Sequence, residues 1–263
     1  MFMDKQNTLQ CLLVQTRLFW ADPGANRDQL ETIVREQARA FDLVVFPETF
    51  TSGFLGDGEA EPETMQGATV AWMRDLAAEF DCVICGSAAI ATESGNANRF
   101  LWVTPSGEVS FYDKRHLFSF GGEDQRYVAG TERKVFNYRG WRVCPQICYD
   151  LRFPAWCRNR GDYDLLLFVA NWPEPRTPAW TALLRARAIE NQCYVIGVNR
   201  SGEDPRGLTY SGASAVYDPL GETVLDLGSE EGIGHAEIAW EKVTSIRSQL
   251  PFQQDADNFE LKI

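Results

Sequence analysis

Two short segments of the sequence are apolar at almost every position: residues 42–47 (DLVVFP) and residues 164–170 (DLLLFVA). A strand with one face in water alternates polar and apolar residues. An uninterrupted apolar run of this length is therefore typical of a strand that is covered on both faces. Such covering requires further layers of helix or sheet. The chain is therefore predicted to fold in layers around internal strands, which places it in the α/β class.

The remaining patterns predict helices and hairpins around these two strands. Helical spacing of apolar residues covers residues 26–40, 64–80, 178–191 and a short stretch from 240 to about 248. Further strands are predicted at residues 9–15, 82–88, 194–199 and 235–238. Hairpins are predicted from strand pairs with short turns at residues 100–112, 134–148 and 213–226. This order predicts mixed sheets covered by helices, and the absence of linkers and repeats predicts one domain over residues 1–263.

The charge balance narrows the possible partners. The 263 residues carry 25 Lys and Arg against 37 Asp and Glu, a net charge of −12. This field repels phosphate, so neither nucleic acid nor a membrane is expected as a partner, and an anionic substrate needs local Arg or Lys. The first twenty residues lack the apolar core of a signal peptide, and no run approaches the roughly 18 apolar residues of a membrane span. We therefore expect a cytoplasmic protein.

Seven cysteines raise the question of a metal or redox site. Cys82 and Cys85 form a CxxC inside a predicted strand, where odd spacing sends the two side chains to opposite faces. Cys144 and Cys148 share a face but lie about 13 Å apart along a strand. No nearby Cys and His pair completes a tetrahedral site. Reduced cysteines without a bound metal are the expectation, with Cys144 packed in mid-strand.

Serine catalysis finds no support in the sequence. There is no GxSxG motif, and only two histidines are present. His116 follows Lys114 by two residues in FYDKRHLF, and we interpret it as a structural, hydrogen-bonded residue. His235 lies in the last predicted strand (GIGHAEI), where a packed or edge position is expected.

Three reactive side chains follow predicted strands. Glu48 follows VVFP, Lys114 ends the strand FYD, and Cys148 ends VCPQI. Each has a simpler explanation alone, as a solvated turn acid, a surface lysine or a packed thiol. Strand ends are nevertheless where sheet proteins gather functional side chains. Together a thiol, a carboxylate and an ammonium group form a set suited to acyl transfer.

The chemistry of such a set can be written from the residue types. A thiol near its ordinary pKa is little ionised at neutral pH, so it needs a base or a cation beside it. Glu48 can take the proton, and Lys114 can stabilise the thiolate. The Lys114 ammonium and the backbone N–H of Tyr149 can stabilise negative charge on the oxygen of an attacked carbonyl.

The motifs around these residues resemble the nitrilase (carbon–nitrogen hydrolase) superfamily. The resemblance rests on PETF with Glu48, DKRHLF with Lys114 and ICYDLRFP with Cys148. It continues through VANWP, LLRARAIENQCYVIGVNRSG, YSGASAVYDPLGE and QDADNF, so it covers nearly the whole chain. The longer strings are most similar to the bacterial omega-amidase branch, which hydrolyses 2-oxoglutaramate and 2-oxosuccinamate.

The resemblance implies a four-layer αββα sandwich of two mixed β-sheets flanked by helices, and it implies a homodimer. It implies a second glutamate after the catalytic lysine, which we match to Glu123 in SFGGEDQRY, with a role in orienting Lys114. The plainer interpretation of Glu123 is a loop acid beside Asp124. The superfamily uses no metal or organic cofactor. The implied activity is a cysteine-dependent amidase that acts through a thioester.

Recognition of a 2-oxo acid requires a group that binds its carboxylate. Arg152 and Arg176 are the candidates, since arginine binds carboxylates bidentately, although each could instead pair with Asp150 or Glu174. Aromatic candidates for the pocket wall, which could equally be core, are Phe118, Trp172 and Trp180. An N-carbamoyl amino acid amidohydrolase, a non-catalytic binding member of the fold and a thiol redox protein are the alternative functions.

Overall fold

A computed structural model describes residues 6–54 and 61–262 of the chain. Its helices are α1 (Pro23–Arg35), α2 (Ala68–Phe80), α3 (Pro154–Cys157), α4 (Thr177–Asn191) and α5 (Trp240–Gln249). Its strands are β1 (Thr8–Gln15), β2 (Leu43–Val45), β3 (Val83–Thr92), β4 (Gly95–Val103), β5 (Val109–Asp113), β6 (Phe136–Tyr138), β7 (Trp141–Ile147), β8 (Leu165–Ala170), β9 (Tyr194–Asn199), β10 (Ser201–Glu203), β11 (Thr209–Ser211), β12 (Ala215–Tyr217), β13 (Thr223–Asp226) and β14 (Gly232–Ala239).

The larger strands form two six-stranded mixed sheets. The first has the order β14-β1-β2-β3-β4-β5, and the second has the order β13-β12-β9-β8-β7-β6. Parallel pairing joins β1, β2 and β3 in the first sheet and β7, β8 and β9 in the second. Antiparallel pairs complete both sheets, and β10 pairs with β11 in a separate two-stranded unit.

Three hydrophobic cores hold four layers together. The central core lies between the sheets and takes side chains from both, such as Leu13, Trp102 and Leu167. A second core joins the outer face of the first sheet to α1 and α2, and a third joins the outer face of the second sheet to α4. Because the internal strands contribute to two cores each, they are apolar at every position. The predicted αββα sandwich is confirmed.

The predicted helices and strands are all present, with shifted boundaries. The first helix starts at Pro23, three residues earlier than predicted, because the Asp22 side chain accepts a hydrogen bond from the Ala25 N–H at 3.0 Å and proline suits the first turn. The hairpin from β3 into β4 and the hairpin of β10 and β11 were not predicted. Both pairings are local, with Thr92 opposite Gly95 and Glu203 opposite Thr209, but the residues around both turns are mostly polar and lack the apolar alternation that predicts strands.

The sheet topology determines where the strand ends meet. Strands β2 and β5 run in the same direction, because two antiparallel pairings separate β5 from β3, which is parallel to β2. Their carboxyl ends therefore open at one edge of the first sheet. The carboxyl ends of β7 and β8 meet this edge from the second sheet, which is where α/β proteins commonly bind ligands. In the described part of the chain, no helix is long and apolar enough to span a bilayer.

Candidate active site

Cys148 lies at a strained bend between β7 and a 3-10 turn, Cys148–Arg152. Its φ of 44° is in the left-handed region, which side chains other than glycine rarely adopt. The buried Asp150 carboxylate secures the bend by accepting a hydrogen bond from the Ile147 N–H at 3.0 Å. The Tyr149 N–H belongs to the first turn, where N–H groups have no partner within the turn. The bend therefore presents the thiol and this N–H together.

Lys114 comes directly after β5 and is almost completely buried. Its Nζ lies 2.8 Å from Glu48 Oε1 and 2.8 Å from each oxygen of Glu123, so its ammonium group lies between two carboxylates. The second Glu123 oxygen also accepts the Phe118 N–H at 2.7 Å. The structure thus brings Glu123 to Lys114, in the position expected of an orienting partner rather than of a solvated loop acid.

Glu48 follows β2 and is completely buried. Its Oε1 accepts from Asn98 Nδ2 at 2.8 Å in addition to Lys114, and its Oε2 accepts from the Asn171 N–H at 2.7 Å. The loop that carries Glu48 is tied to β3, because the Thr49 N–H donates to the Ser87 hydroxyl. Both oxygens of the carboxylate are therefore held in fixed directions.

The cluster favours a protonated resting thiol. Burial raises the pKa of the Cys148 thiol well above its usual range, and the negative charge of Glu48 raises it further, while Lys114 lowers it. Burial lowers the pKa of Lys114, but the charges of Glu123 and Glu48 outweigh this and raise it well above its usual range. Lys114 was expected to stabilise a thiolate, but two carboxylates already neutralise its charge. Ionisation of the Cys148 thiol therefore depends on a base more than on a cation, and Glu48 is the carboxylate next to it.

A small cavity opens over the thiol. Its volume is about 190 Å³. The cavity is lined by Cys148, Tyr149 and Lys114 and by all four predicted substrate-binding residues, Phe118, Arg152, Trp172 and Arg176. Trp180 is buried in the third core, with its Nε1 bonded to the Ala213 carbonyl, so it belongs to the core and not to the cavity wall.

The two arginines at the cavity remain available to an anion. Arg152 stacks over the Trp172 ring at 4.8 Å, and Arg176 stacks over the Phe118 ring at 5.2 Å. Within residues 6–54 and 61–262, neither forms an ion pair with a carboxylate. The alternative partners are used elsewhere: Asp150 by the Ile147 N–H and other donors, and Glu174 by the Thr209 hydroxyl.

Several site residues were missed by sequence reasoning. Asn98 and Asn171 contact Glu48 directly. The first half of β4 also contains Asn96 and Arg99, so the sequence did not distinguish Asn98 from its polar neighbours. The hairpin of β10 and β11 supplies one cavity wall through Asp204, Leu208 and Tyr210. Only the assembled structure reveals that wall, because nothing in its local sequence marks it as facing the thiol.

The predicted positions of Cys82, Cys85 and Cys144 and of the two histidines are confirmed. Cys82 and Cys85 lie in different cores on opposite faces of the first sheet. Cys144 is buried against α4. His116 is structural: its Nδ1 lies 2.8 Å from Asp150 Oδ1 and its ring stacks on Phe153. His235 lies on β14, which is an edge strand.

The chain belongs to the carbon–nitrogen hydrolase family, because the family model named Carbon-nitrogen hydrolase matches residues 13–248. Members of this family hydrolyse carbon–nitrogen bonds, and the chain is accordingly a hydrolase of amide bonds.

Among its relatives, the Omega-amidase YafV of Yersinia enterocolitica is 45% identical over 260 residues, covering 97% of this chain and 99% of that protein. The protein of the same name from Escherichia coli strain K12 is 46% identical, covering 96% and 98%. The 2-oxoglutaramate amidase of Bacillus subtilis strain 168 is 31% identical, covering 94% and 96%. The crystal structure of XC1258 from Xanthomonas campestris, a CN-hydrolase superfamily protein, matches with a TM-score of 0.95 and 47% identity, covering 98% of this chain and 100% of that chain.

Proposed function

We propose that this protein is an omega-amidase that hydrolyses the terminal amide of small 2-oxo acid amides, 2-oxoglutaramate and 2-oxosuccinamate, to the acid and ammonia. The observation that carries the proposal is that Lys114 and Cys148 line one cavity, while Glu48, which bonds to Lys114, is buried beside them, each residue following a different strand. Relatives named omega-amidase and 2-oxoglutaramate amidase support the substrate class, since they match over nearly their whole length.

The first half of the reaction forms a thioester. Cys148 Sγ attacks the amide carbon while its proton passes to Glu48, and a carbon–sulfur bond forms. The carbonyl oxygen becomes an oxyanion, which the Lys114 ammonium and the Tyr149 N–H stabilise. Glu48 then gives its proton to the amide nitrogen, the carbon–nitrogen bond breaks and ammonia leaves. The raised pKa of Cys148 fits this sequence, because the proton leaves the sulfur only as the new bond forms.

The second half of the reaction uses the same carboxylate. A water molecule in the place of ammonia gives a proton to Glu48 and attacks the thioester carbon. The tetrahedral intermediate collapses, the carbon–sulfur bond breaks and the proton returns to Cys148 as the acid leaves. Glu123 keeps the Lys114 ammonium in place in both halves, since it binds that group with both oxygens.

The substrate carboxylate is proposed to bind at the arginine side of the cavity. Arg152 and Arg176 line the cavity and have their guanidinium groups stacked on aromatic rings, which fixes them without neutralising their charge. In a chain with a net charge of −12, these two groups supply the local positive field that an anionic substrate needs. Trp172 and Phe118 then form the apolar walls beside the carbon chain of the substrate.

The direct test measures ammonia release from 2-oxoglutaramate by the wild type and by Cys148→Ala. We expect the variant to lose turnover while it keeps the wild-type circular dichroism spectrum and melting temperature. Cys82→Ala, which removes a buried thiol from the second core, is the matched control and should retain turnover. Turnover by Cys148→Ala equal to that of the wild type refutes the assignment.

A substrate panel tests the branch of the family. It compares 2-oxoglutaramate and 2-oxosuccinamate with N-carbamoyl amino acids and simple nitriles. Higher kcat/KM for the 2-oxo acid amides is expected. A simple nitrile has neither the carboxylate nor the amide, and the carbonyl of a carbamoyl group is less electrophilic than that of an amide because two nitrogens donate electron density to it. Preference for a carbamoyl compound or a nitrile contradicts the proposed substrate.

The assembly and location of the protein are further parts of the proposal. We infer a single domain over residues 1–263 that acts in the cytoplasm as a homodimer. The family match over residues 13–248 supports the single domain, and free thiols at all seven cysteines agree with a reducing compartment. Light scattering after size exclusion tests the dimer, and a mass of one subunit at micromolar concentration contradicts it.

A further inference from the structure

A completely buried asparagine lies between the two glutamates of the site. Asn98 is near the start of β4, and its Nδ2 lies 2.8 Å from Glu48 Oε1 and 3.0 Å from Glu123 Oε1. The backbone carbonyl of Asn98 also accepts the Lys114 N–H at 3.0 Å, which fixes the two residues side by side. The two carboxylates thus share two donors, the Lys114 ammonium and the Asn98 amide.

The other half of the Asn98 side chain has no partner. Its Oδ1 is buried and receives no hydrogen bond from the described residues. A buried carbonyl oxygen without a donor is unfavourable, and an apolar side chain of similar size would avoid the penalty. The contribution of this asparagine therefore comes from the Nδ2 group, which donates one hydrogen bond to each of the two carboxylates.

The charges of the cluster explain why a neutral donor suits this position. Glu48 and Glu123 bring two negative charges against the single positive charge of Lys114. A third carboxylate at position 98 would add repulsion, while a second cation would compete with Lys114 for the same oxygens. An amide supplies two hydrogen-bond donors, and it neither gains nor loses a proton at the pH of the reaction.

We propose that Asn98 is a positioning residue of this hydrolase, whose Nδ2 holds the Glu48 and Glu123 carboxyl groups together so that Glu48 can accept the Cys148 proton. The inference rests on the proposed function, because it assigns Asn98 a part in the same proton transfer. Asn98 acts through the two glutamates and is not assigned any contact with the substrate.

The groups that titrate around this cluster come from several elements. Besides Lys114 and the two glutamates, Cys148 faces it from the end of β7. Two buried tyrosines lie near it. Burial raises the pKa of Tyr127, with Glu123 and Glu48 adding to the shift, and burial raises the pKa of Tyr210, with Asp204 and then Glu48 adding to it. Both tyrosines stay protonated across the working range. Burial also raises the pKa of Glu123, although Lys114 opposes this, so the buried carboxyl groups are expected to determine the acid limb of the activity profile.

The test compares Asn98→Asp and Asn98→Ala with the wild type. A carboxylate that loses a hydrogen-bond donor, or gains a negative neighbour, takes up a proton more readily. The acid limb of the kcat/KM profile should therefore move to higher pH in both variants, and further in Asn98→Asp. At neutral pH, kcat should fall about tenfold or more, the contribution expected of proton transfer, while KM stays within about twofold.

Alkylation of Cys148 by iodoacetamide gives a second readout that needs no turnover. The thiol gives up its proton to Glu48 in this reaction too, so the acid limb of the alkylation rate should move in the same direction. The wild type could release no ammonia while the acid limb of the alkylation rate still moves in the Asn98 variants. That result would refute the proposed function and leave the role of Asn98 intact.

Asn191→Asp is the matched control. Asn191 is also a completely buried asparagine, but it bonds to Asn159 and to the Arg187 carbonyl, away from the cavity. We expect both pH profiles of this variant to equal those of the wild type even where its melting temperature falls. Wild-type profiles in either Asn98 variant, or the same shift in Asn191→Asp, would overturn the inference. If Asn98→Asp does not fold, Asn98→Ala alone decides the outcome.

Discussion

A single ammonium group, that of Lys114, lies between two carboxylates with its side chain 1% exposed. Lys114 could stabilise either a Cys148 thiolate or an oxyanion of the substrate, and the residue types alone do not distinguish these two roles. The charge of Lys114 is already neutralised in the resting site, so it cannot by itself make Cys148 a thiolate. In the proposed mechanism its charge becomes available when negative charge develops on a substrate oxygen, which is the condition for stabilising the transition state more than the ground state. The same mechanism assigns the proton transfers to Glu48.

Lys114→Met tests this role at the residue scale. The change leaves Glu48 and Glu123 buried without a cation, which typically costs about 3–5 kcal/mol of unfolding free energy. It also removes the charge that lowers the pKa of Cys148, so that pKa rises further and alkylation at neutral pH slows. Urea denaturation and the iodoacetamide rate check the two effects.

Lys134→Met is the control for Lys114→Met, since it removes a lysine that pairs with Glu132 on the surface. Its effect on stability should be at most about 1 kcal/mol. Equal stability losses in the two variants, or faster alkylation in Lys114→Met, would contradict the described charge balance.

Arg152→Ala and Arg176→Ala test where the substrate carboxylate binds. A hydrogen-bonded charge pair contributes about 1.5–3 kcal/mol, so loss of the receiving arginine should raise KM for 2-oxoglutaramate about tenfold or more. An amide of the same length without the carboxylate should show no such change. Arg185→Ala, whose guanidinium bonds to the Gly221 carbonyl outside the cavity, serves as the control. Unchanged KM in both cavity variants would exclude these residues as the carboxylate site.

Strand ends and the short turns after them are the elements that build the site. Glu48 follows β2, Lys114 follows β5, and Cys148 begins the bend after β7. Each connection is held by bonds to a neighbouring strand, such as the Phe46 N–H to the Cys85 carbonyl at 2.8 Å. A strand end fixed in this way positions a side chain more accurately than a free loop does. The unusual φ of Cys148 is tolerated because the surrounding bonds maintain it.

Gly86→Ala tests how firmly the loop of Glu48 is held. A Cβ at Gly86 would lie 2.7 Å from Phe50 Cδ1 and 2.9 Å from Phe46 Cβ, so the loop that carries Glu48 must shift. We expect a loss of about 1–3 kcal/mol in stability from overpacking, together with a lower kcat. Calorimetry and ammonia release measure the two quantities.

Gly24→Ala is the control for Gly86→Ala, because its Cβ would meet only Asp22 Oδ1, at an ordinary 3.5 Å, and it lies in the first turn of α1. It should be neutral or slightly stabilising. A fully active Gly86→Ala enzyme of unchanged stability would show that the loop is not under this constraint.

At the scale of the whole molecule, the layered fold can be predicted from the spacing of apolar residues in the sequence. The hydrogen-bond partners within the site cannot be predicted in this way. Apolar runs such as residues 164–170 identify internal strands because both of their faces are buried in this fold. The reactive trio could be predicted since each member follows a recognisable strand. Asn98 could not be assigned a partner, because its contacts are with residues 50 and 25 positions away. The hairpin of β10 and β11 was missed because its short strands are mostly polar, and its place at the cavity depends on tertiary contacts.

The most direct measurement traps the covalent intermediate. Wild-type protein is mixed with 2-oxoglutaramate, quenched with acid within the first turnover, digested and analysed by mass spectrometry. The predicted result is one acyl group, with the mass of the substrate less ammonia, on the peptide that contains Cys148 and on none of the other six cysteines. Cys148→Ala should show no such adduct. An acyl group on a different cysteine, or ammonia release without any adduct on Cys148, would contradict the account.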